Sequence, residues 1–135
     1  MNYKFLPHTA DIKFRAYGTT IEKAFENSAV AMFSAMYKGK IKGNVKRKIS
    51  ANGKDLESLL YDFLEKLLIL LDSENLFLSK VKFKIEKDKF KLTGEVVGNN
   101  AKNYKIGLDV KAVTYNDIFV KKINGRWVCQ VVIDV

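Results

Sequence analysis

Histidine, cysteine and proline occur once each in these 135 residues, and arginine only three times. A lone cysteine excludes an internal disulfide and a cysteine zinc cluster, so Cys129 reads as a small core residue in a reducing compartment. A lone histidine, His8, puts catalytic triads and histidine metal sites out of reach. With only Arg15, Arg47 and Arg126, the basic excess rests on lysine, a point charge that lacks the planar fork suited to bidentate recognition. Long hydrophobic runs are also missing. The longest, Leu67 to Leu71, is far too short to span a bilayer, and Met1 to Pro7 lacks the apolar region of a signal peptide. A cytoplasmic protein without a membrane partner is expected. No P-loop, glycine-rich dinucleotide turn or nucleophile motif occurs.

What is present describes a globular chain. Hydrophobic residues make up 47%, enough for one domain over residues 1–135 with a core that needs no disulfide. The net charge of +9 suits a nucleic-acid partner, and equally suits solubility or the lysine enrichment of proteins from hot environments.

Tyr3 to Leu6 reads as a short strand stopped by Pro7, and Lys13 to Tyr17 as a second. Thr19 and Glu22 have the spacing of a capping box. Ile21, Phe25, Ala29, Met32, Phe33 and Met36 then fall on one helical face, with Gly39 as the stop. A strand over Val45 to Ala51 is followed by a second helix, capped by Lys54 or Asp55. Its leucine-rich arc is too wide for a surface helix, which predicts that it is the central one. Val81, Phe83 and Ile85 alternate with Lys80, Lys82 and Lys84, the pattern of an antiparallel strand with one wet face. The final thirty residues read as strands at Gly107 to Tyr115 and Ile118 to Ile123, broken by Asn116-Asp117. A hairpin at Asn124-Gly125 then leads into Arg126 to Val135. An α+β fold is expected: a largely antiparallel sheet of about seven strands with two helices packed on one face.

Carboxylates are the remaining candidates for chemistry. Asp11 lies in the first turn, Asp109 in the expected penultimate strand, and Asp134 beside the α-carboxylate of Val135, where the chain stops. Hard oxygen donors suit Mg²⁺ or Ca²⁺. On spacing alone Asp11 and Asp134 fit a shared cation site, and equally fit ordinary capping of turn amides. Lys111 alternates with Asp109 and is placed to pair with it or to stand free.

Three stretches together resemble the archease family. His8-Thr9-Ala10-Asp11-Ile12 is similar to its HTAD[IV] opening, Lys111-Ala112-Val113-Thr114-Tyr115 to its K-A-[VI]-T-Y strand, and Asp134-Val135 to its Asp-hydrophobic ending. Ala24 to Asn27 and Leu60 to Leu68 also fit, so the resemblance covers the whole chain. Many relatives have histidine where Asn116 stands, glutamate where Asp109 stands and tryptophan where Phe63 stands.

The resemblance implies a non-enzymatic partner of the RtcB-type RNA ligase of tRNA splicing, promoting its guanylylation and turnover and broadening its nucleotide use. It also implies a divalent cation, Ca²⁺ or Mg²⁺, at Asp11, Asp134 and Val135, with Lys111 and Asp109 serving activation of the ligase. A basic RNA-binding or chaperone-like module acting on other tRNA-processing enzymes is the alternative, with weak or indirect tRNA contact. A metal-dependent hydrolase fits less well, because no general base accompanies the carboxylates.

Overall fold

The computed structural model describes residues 1–8 and 10–135. Among the described residues seven strands and two α-helices form an α+β fold with antiparallel pairing throughout, as expected. The strands divide into two sheets. The first has the order β1 (Tyr3–Leu6), β2 (Ile12–Gly18), β7 (Arg126–Asp134), β6 (Ala112–Ile123). The second has the order β3 (Val45–Asn52), β5 (Lys91–Asn100), β4 (Leu76–Glu86). Helix α1 (Ile21–Met36) packs on β2 and β7 of one sheet and β4 of the other, and α2 (Leu56–Glu74) on β6, β3 and β4. One core joins both layers. Phe14, Phe25, Phe63 and Phe77 are its largest fully buried side chains, and truncating any of them to alanine costs roughly 3–5 kcal/mol.

The more central helix is α1, not the leucine-rich α2. Along α1, ten residues are buried, among them the small Ala24, Ser28, Ala29 and Ala31, which let neighbours approach on several sides. Along α2 six are buried, Leu70 and Leu71 are half-buried, and Ile69 is exposed. Thr20, one position later than expected, caps α1: its Oγ1 accepts from Lys23 N at 3.1 Å. Glu22 is engaged elsewhere, accepting from Ile85 N of β4 at 3.4 Å. The helix stops at Met36 because Tyr37 is extended, ahead of Gly39.

The Asn124-Gly125 hairpin is present, with both residues at the positive φ (52° and 80°) that its turn requires. The two strands expected before it are one. Residues 105–111 form no strand, and β6 runs unbroken from Ala112. Asn116-Asp117 is an irregularity within β6: its register to β7 shifts between Thr114 and Phe119, and Asp117 has φ 55°. Buried Gln130 holds that kink, donating from Nε2 to Asp117 O at 2.7 Å while accepting from Arg15 Nε at 2.9 Å. The polar stretch Gly98 to Asn100 completes β5. Among the described residues no helix is long and apolar enough to cross a membrane.

Candidate functional site

The three motif stretches meet at one end of the four-stranded sheet, where β2 begins, β6 begins and β7 ends. Ile133 pairs with Ile12 on one side and Val113 on the other, and Asp134 pairs with Ala112. The β2–β7 register ends at the Ile12–Ile133 pair, so Asp11, in the turn just before β2, and Asp134 come to the same end of the sheet. Lys111 N donates to Asp134 O at 2.8 Å, which ties the motif lysine to the end of β7 through the main chain. Asp11, Asp134 and Val135 are half-buried, and Lys111 is exposed.

Asp11 lines a cleft between the β1–β2 turn and the end of α1, together with Phe5, Pro7, His8, Ser34 and Lys38. Its carboxylate has a neighbour that composition had set aside: His8 Nδ1 lies 4.0 Å from Asp11 Oδ2, an ion pair when the imidazole is protonated. The spacing of three residues within one turn was the available signal. Thr9, the remaining polar member of that motif, lies outside the described residues.

Asp109 is placed differently. It is exposed in the irregular segment before β6 and lines a separate cleft with Asp72 and Asn75 at the end of α2. The Asp109–Lys111 strand face expected from alternation does not form, because β6 begins only at Ala112. Among the described residues no ion pair joins the two. Tyr115 of the motif belongs to the helix side: its ring stacks on Tyr61 of α2 with centroids 4.5 Å apart. Asn116 is exposed within the kink, where its N–H donates to Thr114 Oγ1 at 3.3 Å.

Among the described residues no group of three histidine, cysteine, aspartate or glutamate side chains is arranged to hold a metal. This sheet end offers two carboxylates and the main-chain oxygens of Val135. That donor set is all oxygen, open on one side to water, and it fits a hard cation of variable coordination better than zinc. Cys129 offers no rival chemistry. Burial pushes its thiol up to about 12, against a contact with the Ser28 hydroxyl, so it stays protonated and unreactive.

The chain matches the Archease protein family (MTH1598/TM1083) over residues 3–135. It belongs to the archease family. Protein archease of Pyrococcus furiosus is 44% identical over 134 residues, covering 95% of this chain and 94% of that one. The solution structure of Protein 1598 of Methanobacterium thermoautotrophicum superposes with a TM-score of 0.86 at 33% identity, covering 99% of each chain. The crystal structure of an archease from Thermotoga maritima, described as a possible chaperone, superposes at 0.66, covering 98% of this chain and 96% of that one. At 19% identity that last likeness concerns the archease fold alone.

Proposed function

We propose that this archease is a protein cofactor, not itself an enzyme, of an RtcB-type RNA ligase of tRNA splicing. It promotes guanylylation of the ligase, allows repeated turnover and widens nucleotide use. The observation that carries the reading is the β2–β7 pairing, which ends at Ile12–Ile133 and so brings the flanking Asp11 and Asp134 to one sheet end, with Lys111 N hydrogen-bonded to Asp134 O. Family membership supports it, and so does the accessibility of this sheet end.

In this reading Asp11, Asp134 and the main-chain oxygens of Val135 hold a divalent cation, Ca²⁺ or Mg²⁺. Such a cation supplies a fixed positive charge where a partner's phosphates approach. Asp134 sits on β7 and Asp11 immediately precedes β2, two strands already paired through the core, so little ordering is needed when a ligand arrives. Lys111 is anchored by its main chain while its exposed ammonium stays available to an anionic nucleotide in the ligase pocket. Nucleotidyl transfer gains mostly from positioning and from charges arranged in advance, and an added cationic group is well suited to both.

The experiment incubates ligase, GTP, divalent metal and cut RNA with and without this protein, and counts joined products per ligase. The expected result is roughly one product without it and many with it. Equal turnover in both tubes contradicts the proposal.

A further inference from the structure

The outward face of the three-stranded sheet carries six lysines, and we infer that it is a docking surface for the phosphate backbone of RNA. In the sheet register Lys80, Val97 and Lys46 form one cross-strand row, and Lys82, Glu95 and Lys48 the next. Lys84, Thr93 and Ser50 form a third, and Glu86, Lys91 and Asn52 a fourth. All six lysines are exposed. Among the described residues none of their ammonium groups is in an ion pair. Glu95 and, at the edge, Glu86 are the acidic residues of these rows; Glu26 of α1, at the rim, is held by Lys23 at 2.9 Å.

The other sheet shows what satisfied cations look like in this protein. On its outward face Lys13 pairs with Asp117 at 3.2 Å and Arg15 donates to Gln130. Arg126 lies over the Tyr17 ring at 4.1 Å, and Lys121 over Phe119 at 4.8 Å. Those cations cover their own sheet. The six lysines do not, and like charges crowded on one sheet face repel each other unless an anion is present.

Geometry and chemistry select the partner. Lysines two apart on β4 repeat every ~6.8 Å, comparable to consecutive phosphates along a nucleic-acid strand. The lysine rows of β4 and β3 are separated by two strand spacings, about 10 Å, and β5 floors the trough with Val97, Glu95 and Thr93. A cleft opens at this trough, lined by Lys46, Lys80, Lys82, Glu95 and Val97 and, from α1, by Glu26 and Val30. No arginine or aromatic side chain stands in these rows, so bases are neither read nor stacked, and binding is indifferent to sequence. A membrane surface is disfavoured, since the exposed large hydrophobics (Met1, Phe5, Ile69, Tyr115, Ile123) are all elsewhere. The choice of RNA over DNA rests on the ligase reading above; the phosphate chemistry does not.

The test measures anisotropy of a labelled RNA hairpin over a salt series, without ligase. The proteins compared are the wild type, a triple variant (Lys80→Gln, Lys82→Gln, Lys84→Gln) and a control (Lys4→Gln, Lys102→Gln, Lys122→Gln). The expected triple variant binds roughly tenfold or more weakly, and its log–log salt slope is shallower by about 2, because fewer counterions are released. The control should match wild type, and RNA-free guanylylation of the ligase should be the same for all three. Wild-type affinity and slope in the triple variant overturn the inference. So does tighter binding to the matching DNA hairpin, or binding to anionic vesicles with none to RNA. Failure here with guanylylation still stimulated sinks only the lysine face; the converse sinks only the ligase role.

Discussion

Asp55 starts α2 with a reciprocal pair of hydrogen bonds. Its carboxylate accepts from Ser58 N at 2.7 Å, and Ser58 Oγ accepts from Asp55 N at 3.2 Å. The bond from Ser58 N is the main reason its pKa lies below the ordinary 3.8; the Ser58 side chain and the charge of Lys54 lower it further, against slight burial. A carboxyl whose folded value is depressed stabilises the fold above its unfolded value, and that contribution fades as pH falls through the folded one. Asp55→Ala should therefore cost about 1 kcal/mol at neutral pH. In urea melts the gap from wild type should narrow well below the carboxylate range. A gap that persists unchanged at low pH would mean the carboxylate's charge is irrelevant to the cap. Asp55 was one of two caps that the sequence allowed, and the oxygen-bearing one prevails. At α1 the Thr19–Glu22 spacing mimics a local capping box, while Glu22 in fact bonds β4, sixty-three residues on. Contacts that distant leave no local trace.

Strands are legible where alternation is strict, as in β4, and obscured where a polar pair interrupts one. Asn116-Asp117 looks like a turn, yet Gln130 and Lys13 bind Asp117 and hold β6 together across the kink. Leucine count does not give helix rank for a related reason: it measures apolarity, whereas centrality depends on how closely neighbours can approach, and small residues decide that. β7 carries a prediction of its own. Val135 is half-buried against the core, and in the proposed site its main-chain oxygens complete the cation's donor set. Appending a few Gly-Ser residues after it leaves Asp134 and the core intact. The extended protein should melt as wild type does in chelator but show a smaller Ca²⁺-induced rise in Tm, since binding stabilises by mass action. An N-terminal extension of equal length is the control. An undiminished Ca²⁺ shift would remove Val135 from the donor set.

For the molecule as a whole, α+β class, strand number and antiparallel pairing could be read from hydropathy. The division into two sheets could not, because sheet order is a property of pairing between distant segments. The same holds at the candidate site. Asp11 and Asp134 are 123 positions apart, and only the β2–β7 pairing brings them to the same sheet end. The archease motifs pointed to them without explaining why, and Asp109, singled out with them, belongs to a different cleft. The central claim is that these two aspartates are the working part of a ligase activator. Its most direct test is the rate of ligase guanylylation with Asp11→Ala or Asp134→Ala at concentrations matched to wild type, with circular dichroism confirming that each is folded. Each variant should leave the rate at that of the ligase alone. Stimulation by both to the wild-type rate would contradict the account.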